Sequence, residues 1–414
     1  MARGTSNRLA LGLLLCAAGA SWASSVPSGA MADYYLQCGW LYSEAGCAAL
    51  ADRLEAVEFP SRDERLALVL SRRIVPGRDG GEPGEPCSDL HAIAADHPDY
   101  AEGLSHLAGC AQHREAVALL RRALEIERDN YGALRSLLRM IDHFLPDELV
   151  HEIGPGAVAA YREALYASAL ERAAWEAAAA AAASEDVAPA RRWSGLFSAA
   201  ASMVETALGE GDPDAAEAIR VRVRKDAGLD GLDYGVADNV DVVCRIGVYV
   251  SGEFCATAVE RSAQRFAAQG QPLPDGVLSA IEAAAGDLRW FACAEATGQS
   301  RRSGLRARLY PECGPEATET TAVARLRAVL EHHDGPRSSE HHRVHAQAFL
   351  GDGVRVEGLR AALRTDPDNA RARCDLAGAL AREDSEAAAL VLGEGGDPAC
   401  LEPARVWGDM FGPR

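Results

Sequence analysis

Five of the eleven histidines of this chain lie between positions 332 and 345. They are His332, His333, His341, His342 and His345. If the chain is helical from Ser339 onward, His341 and His345 are four residues apart and face one side of the helix, a spacing that suits a divalent metal ion. Carboxylates from Asp334 or Glu340 would lie nearby. Because the glutamate of the H-E-x-x-H motif is missing, no catalytic role is predicted for this cluster.

The same pattern has a second interpretation. Neutral imidazoles on an exposed helix face, or in the first turn of a helix before a repeat, explain the cluster equally well. We therefore take His341, His345 and His332 as candidate metal ligands and leave the alternative open.

A second group of potential ligands is acidic and extends from Asp230 to Asp241. Its aspartates could hold calcium through carboxylate oxygens, but they do not follow the register of a D-x-[DN]-x-[DN]-G loop. The simpler interpretation is structural, because Asp238 or Asn239 before an apolar run is a typical helix N-cap.

The cysteines predict a disulfide framework. Of the eleven, Cys16 lies in the N-terminal apolar segment, and the other ten form five couples that are adjacent in sequence. Bridges at such spacings would join one helix to the next, although the sequence leaves the connectivity open. No C-x-x-C motif is present, so a zinc site is disfavoured. The expected pairs are Cys38 with Cys47, Cys87 with Cys110, Cys244 with Cys255, Cys293 with Cys313, and Cys374 with Cys400.

Other catalytic motifs are missing. The sequence contains no G-x-S-x-G, no Walker A motif, no G-x-G-x-x-G and no C-x-x-C-H, and Lys225 is the only lysine. A helical toroid with two catalytic acids stays open as an alternative, but such sites usually need aromatic platforms, and aromatic residues make up 6% of this chain. We predict no cofactor and no catalytic residue.

The first residues resemble a secretory signal peptide. Arg3 and Arg8 precede an apolar run from Leu9 to Ala20, and Ser21-Trp22-Ala23 provides a small-x-small cleavage pattern. We expect cleavage after Ala23 and export to the periplasm or beyond. Lipid modification at Cys16 is disfavoured because the residue before it is leucine rather than a small residue.

The net charge of −19 restricts the kinds of partner that the chain is expected to bind. An acidic surface repels phosphate backbones and anionic lipids, so nucleic acid and membrane surfaces are poor candidates. A basic peptide or a cation stays open as a partner, and acidity also serves solubility alone. The abundance of arginine and alanine indicates a GC-rich bacterial genome.

The composition favours helices. Ala, Leu, Glu and Arg dominate, and alternating strand patterns are nearly absent. The valine-rich stretch 239–250 could form a strand or a buried helix. The glycine- and proline-rich stretch 76–86 is expected to be an exposed loop.

An internal repeat indicates how the helices are organised. Pro98-Asp99-Tyr100-Ala101 matches Pro367-Asp368-Asn369-Ala370 at an offset of 269 residues, and each stretch leads to a Glu-Ala pair that opens a second helix. A helical hairpin is therefore expected near each end of the chain.

These hairpins resemble tetratricopeptide repeats. Ala116, Leu120, Ala123 and Leu124 stand at the spacings of the second helix of that repeat, and Leu359, Ala362, Leu363 and Pro367 fall similarly. Two positions depart from the pattern, since Arg128 replaces the usual proline and Arg355 a small residue. The resemblance covers about 90–147 and 340–395. It implies a stacked α-solenoid whose first helices hold a partner protein or peptide.

We thus expect an all-α, disulfide-stapled solenoid with four regions: a signal peptide (1–23), a repeat-like region (24–146), an Ala-rich helical region (147–314) and a second repeat-like region (315–414). The expected function is that of a protein- or peptide-binding scaffold in the cell envelope. The alternative is an envelope enzyme or metal-binding protein that uses the histidines 332–345.

Overall fold

A computed structural model describes residues 27, 29–40, 44–74, 85–183, 192–296, 320–350, 352–381, 385–393 and 400. Within these residues the regular structure is helical and no strand occurs, so the predicted all-α class is confirmed. The valine-rich stretch 239–250 is helical as well. None of the described helices combines the length and apolar character needed to cross a membrane.

The chain divides into two units, each compact in itself. The first ends at Ala179 and the second begins at Ala180. This boundary lies inside the Ala-rich helix 155–183. The helices that begin in the first unit are α1 (Gly29–Tyr34), which continues as a π-helical turn (Tyr35–Trp40), α2 (Glu44–Glu55), α3 (Arg62–Ile74), α4 (Glu85–Asp96), α5 (Ala101–Leu107), α6 (His113–Ile126), α7 (Tyr131–His143), α8 (Asp147–Ile153) and α9 (Pro155–Ala183).

The second unit contains ten further α-helices in the described ranges. They are α10 (Ser194–Gly209), α11 (Pro213–Asp226), α12 (Ala237–Arg245), α13 (Gly252–Ala268), α14 (Asp275–Ala296), α15 (Thr321–His332), α16 (Ser339–Phe349), α17 (Asp352–Thr365), α18 (Ala370–Leu380) and α19 (Ser385–Leu392).

The internal repeat corresponds to real helix boundaries. Helix α5 begins at Ala101 and α18 at Ala370, which preserves the offset found in the sequence. A third turn of the same kind precedes α7, where Arg128 replaces the proline. There Asn130 caps the helix by accepting a hydrogen bond from the amide of Ala133, as Asn369 does from that of Ala372. The turn with proline and the turn without it thus share the asparagine cap, which satisfies one free amide of the first helical turn.

Small residues lie where the repeat resemblance places them. Ala116, Ala123 and Ala362 are buried, and the leucines of the same faces, Leu120 and Leu359, are fully buried. In both units consecutive helices contact each other, from α2 through α7 and from α15 through α19. Gly358 allows α17 to approach α16, because a Cβ there would lie 2.7 Å from the Cβ of Ala346.

Four of the five expected disulfide pairs are bonded. The bridges join Cys38 with Cys47, Cys87 with Cys110, Cys244 with Cys255, and Cys374 with Cys400, at Cα separations of 4.4 to 5.8 Å. The pair Cys244 and Cys255 links the last turn of α12 to the first turn of α13. Each bridge therefore joins segments that are close in sequence, as the spacing predicted.

Several sequence predictions lie outside the described residues. These are the signal peptide, its cleavage site after Ala23, Cys16, Cys313, and the stretch 76–84 of the expected loop. The last two residues of that loop, 85 and 86, are helical and belong to α4.

The four bridges predict the result of a thiol-labelling experiment. We expect iodoacetamide to leave all eight bridged cysteines unmodified in the denatured, unreduced protein and to label them after reduction. Mass spectrometry of the tryptic peptides measures both states and identifies the cross-linked pairs. Labelling of any of these eight before reduction would contradict the framework.

Candidate functional site

The second unit contains a cleft of about 450 Å³ between α11, α13 and α15. This volume falls within the range of small-molecule and short-peptide pockets. Its lining is unusually rich in arginine for a chain of net charge −19. Four guanidinium groups line it, those of Arg220, Arg224, Arg261 and Arg325. We call this feature the arginine cleft.

Helix α11 supplies one wall of the arginine cleft. Asp212 caps its start by accepting a hydrogen bond from the amide of Ala215, and proline follows at the first helical position. Arg220 and Val221 precede Arg224 by four and three residues, so the three side chains fall on one face of the helix. The Arg220 Nε donates to the Val250 carbonyl oxygen at 3.0 Å, which holds this side chain against the segment that leads into α13.

The end of α11 brings an aspartate beneath two arginines. Gly228 adopts a left-handed conformation with φ of 60°, so the chain reverses into a 3-10 turn that contains Asp230. Arg224 donates from Nε and Nη2 to the two carboxylate oxygens at 3.1 and 2.7 Å, and Arg261 Nη2 donates to Oδ1 at 3.3 Å. These hydrogen bonds from Arg224 and then Arg261 lower the pKa of Asp230. One carboxylate is thus shared by two cations.

The opposite arrangement occurs around Arg325 of α15. Its guanidinium donates to both oxygens of Glu260 at 2.5 and 2.7 Å, to Thr257 Oγ1 at 3.3 Å, and to Glu253. The Glu260 hydrogen bonds are the main cause of a raised pKa for Arg325. Here one cation is shared by two carboxylates. Gly252, at the start of α13, permits α14 and α15 to approach α13 closely. A Cβ at this position would lie 2.5 Å from the Leu288 side chain and 3.0 Å from that of Ala322.

Apolar side chains also line the cleft. Leu229 and Tyr234 are buried, and the Tyr234 hydroxyl donates to the Leu229 carbonyl oxygen at 2.7 Å. Phe254 adds a ring from α13, whereas Val221 on α11 is 59% exposed at the margin. The cleft therefore combines apolar side chains with two groups of ion pairs, one around Asp230 and one around Arg325.

The histidine cluster does not assemble as a metal site. His341 is 2% exposed, and its Nε2 lies 2.8 Å from the Leu330 carbonyl oxygen, while the His332 Nδ1 lies 2.9 Å from that of Ala328. His345 Nε2 lies 3.6 Å from Glu331. Among the described residues, no three His, Cys, Asp or Glu side chains are grouped to hold one ion. The expectation of exposed imidazoles also fails for His341, because α16 packs that face against α15.

The interpretation of the acidic stretch was wrong in one respect. Helix α12 begins at Ala237 with Val236 at the N-cap position and no side-chain cap, so neither Asp238 nor Asn239 caps it. Asn239 is buried instead and donates to the Asp233 carbonyl oxygen at 2.9 Å. Asp230 and Asp233 both pair with arginines of α13, namely Arg261 and Arg265.

Aromatic side chains also pack around Arg172 of α9 in the first unit. The Arg172 Cζ lies 4.9 Å from the centroid of the Trp175 ring and 4.0 Å from that of the Tyr35 ring. Tyr35 also donates to Glu102, which accepts a further hydrogen bond from Asn130. Burial alone would raise the pKa of Glu102, but His106, Tyr35 and Asn130 outweigh it and lower the pKa to about 2.

Sequence reasoning missed the arginine cleft. The spacing of positions 217, 220, 221 and 224 was a usable signal, because it places two arginines on one face of a helix. Arg261 and Arg325 gave no such signal, since they are 37 and 101 residues away from Arg224 and only folding brings them together. Neither a protein-family model nor a curated protein matches this chain.

Proposed function

We propose that this chain is an exported helical scaffold of the bacterial cell envelope that binds a protein or peptide in the arginine cleft. The observation that carries the proposal is the cleft itself, a concave site of about 450 Å³ with apolar walls and arginines at its margin. Arginine and aromatic side chains in such a setting are typical of peptide recognition. The lining is nearly balanced in charge, with four arginines beside Glu217, Asp230 and Glu253.

Two further features support the proposal. The disulfides suit an oxidising compartment outside the cytoplasm, in keeping with the expected signal peptide. Consecutive helices contact each other, and Asn130 and Asn369 cap helices at equivalent turns. Both features favour degenerate tetratricopeptide-like repeats stacked as a solenoid. Solenoids of this kind commonly present surfaces to other proteins.

A peptide-display selection tests the proposal. The full chain, purified after export into a bacterial periplasm, is used to select binders from a random peptide library. We expect enriched peptides to bind the wild type and to lose about tenfold or more in affinity for the double variant Arg224→Gln with Arg261→Gln.

The matched control changes two exposed arginines that also pair with a carboxylate on their own helix, Arg122→Gln with Arg360→Gln. It removes the same charge and should bind like the wild type. If no peptide is enriched, or if the enriched peptides bind the cleft variant as tightly as the control, the proposed function is wrong.

A further inference from the structure

The bridge between Cys87 and Cys110, in the first unit, is accessible from solution. Cys87 lies in the first turn of α4, Cys110 ends the 3-10 turn that follows α5, and both are partly exposed. Two other bridges, Cys38–Cys47 and Cys244–Cys255, have cysteines that are 0% exposed. A reagent in solution can therefore reach the sulfurs of Cys87–Cys110 but not those of the two buried bridges.

An arginine lies against the accessible bridge. Arg73, in the last turn of α3, donates from Nη2 to the Cys110 Sγ at 3.6 Å. Its neighbour Arg72 pairs with the Glu55 carboxylate instead, at 3.1 Å. Among the described residues no carboxylate pairs with Arg73, although the chain has 61 acidic residues for 42 basic ones. The charge of this guanidinium therefore acts on the sulfur without being neutralised by an acid.

A cation beside one sulfur changes how a disulfide reacts. In thiol–disulfide exchange a thiolate attacks one sulfur and expels the other as a thiolate, and exchange is faster when the expelled thiolate is more stable. A neighbouring positive charge favours the thiolate over the thiol. Arg73 stabilises a thiolate at Cys110 in this way. Attack at Cys87 with departure of Cys110 is therefore the favoured direction.

We propose that Cys87–Cys110 is a site of thiol–disulfide exchange with a dithiol reductant, in which Arg73 stabilises the leaving Cys110 thiolate. The thiolate of the reductant bonds to the Cys87 sulfur, the S–S bond of the bridge breaks, and Cys110 takes up a proton from water. The second thiol of the reductant then displaces Cys87, which leaves as a thiol. Two electrons thus reduce the bridge to two thiols, and the dithiol is oxidised to its disulfide.

Opening of the bridge has a defined structural consequence. Cys87–Cys110 is the covalent link between the start of α4 and the turn that connects α5 to α6, the first of the repeat-like hairpins. Reduction releases this link while the two buried bridges stay closed. The state of the hairpin thereby follows the supply of dithiol outside the protein.

The rate at which each bridge opens is the first measurement. The full, disulfide-bonded chain is incubated under native conditions with dithiothreitol, samples are quenched with N-ethylmaleimide, and peptide mass spectrometry follows each bridge over time. We expect Cys87–Cys110 to open at least about tenfold faster than Cys38–Cys47 and Cys244–Cys255.

Variants separate the effect of Arg73 from simple exposure. Arg73→Gln should slow the opening of Cys87–Cys110 about threefold, and about 1 M salt should reduce this difference because it screens an exposed charge. Arg73→Lys keeps the charge and should keep most of the rate. Arg72→Gln is the matched control and should open like the wild type. The partly exposed Cys374–Cys400 bridge is the internal standard, and its rate should be the same in every variant.

Glutathione reports the direction of attack. As a monothiol it stops at the mixed disulfide, which is trapped by N-ethylmaleimide at the freed cysteine. Aspartates lie between Cys87 and Cys110, so digestion at aspartate places the two cysteines in different peptides. We expect glutathione mainly on Cys87 and N-ethylmaleimide mainly on Cys110.

Three results would overturn the inference: a buried bridge that opens as fast as Cys87–Cys110, an Arg73→Gln variant that opens as fast as the wild type, or glutathione mainly on Cys110. None of them concerns the arginine cleft. The proposed function is tested separately by the peptide selection.

Discussion

Replacement of Arg343 by alanine is expected to lower the free energy of unfolding by about 3 to 5 kcal/mol. Arg343 lies on α16 and is 4% exposed. Its guanidinium donates to Glu340 of the same helix at 2.7 and 2.9 Å, to Glu282 of α14 at 2.5 and 3.0 Å, and to Asp375 of α18 at 2.8 Å. One side chain thus ties three helices together, and its loss removes the main cation beside the buried Glu340 and the cation shared by the partly exposed Glu282 and Asp375.

The carboxylate most affected is Glu340, which is 7% exposed. Burial alone would raise the pKa of Glu340, but the hydrogen bonds and charge of Arg343 outweigh burial and lower it below the ordinary value of 4.5. A lowered pKa contributes stability above the ordinary value, and that stability is lost as the pH falls below it. Without Arg343 only Asn369 and Arg371 oppose the burial penalty, which adds to the cost of the substitution.

Urea unfolding at about pH 7 measures the effect, and Arg360→Ala is the matched control. Arg360 pairs with Glu357 at 2.6 Å on α17, but both side chains are more than half exposed. Its removal should cost less than about 0.5 kcal/mol. Arg343→Lys keeps the charge without the bidentate geometry and should give an intermediate value. Equal midpoints for Arg343→Ala and Arg360→Ala would show that the network contributes nothing.

Lowering the pH from about 7 to about 5 is expected to remove about 2 kcal/mol of stability through His341 alone. Burial lowers the pKa of His341 from the ordinary value of 6.5 to about 4, and Arg337, His333 and His342 add to the shift, while the Leu330 carbonyl opposes it. Between these values the unfolded chain binds a proton that the folded chain excludes. The stability is therefore complete above 6.5 and falls as the pH decreases toward 4.

Two neighbouring histidines change the stability in the same direction as the pH falls. Burial also lowers the pKa of His342 and of His345, so both act in the same sense. The carboxylates with lowered pKa, Glu340 and Glu102, lose their contribution only below the ordinary carboxyl value of 4.5. Burial raises the pKa of Glu127 and of Glu176, and these two groups act in the opposite sense as the pH falls. The contribution of His341 is therefore read from a variant rather than from the wild type alone.

Urea unfolding at several pH values in this interval provides the measurement. In His341→Gln the loss of stability on acidification should shrink by about 2 kcal/mol, whatever the change in stability at pH 7. His151→Gln, at an exposed histidine of α8, should keep the wild-type pH dependence. A pH dependence that is the same in both variants would contradict a buried, neutral His341.

The sequence predicted features that depend on neighbours along the chain. The all-α class, the turns before Ala101 and Ala370, and the four observed disulfide pairs all followed from composition or from spacings of at most 26 residues. Helix propensity, turn geometry and loop closure are local, so a single sequence carries them.

Tertiary structure alone decided the sites. The histidines suggested an exposed metal-binding face, but packing of α16 against α15 buried His341 and directed its Nε2 to a backbone carbonyl. Nothing in the sequence distinguishes Arg224, Arg261 and Arg325 from the other arginines. They line one cleft only because α11, α13 and α15 converge. Arg343 likewise meets Glu282, 61 residues away, only in the packed unit. Charge pairing over such separations depends on which helix faces meet, and the local pattern of one chain does not specify that.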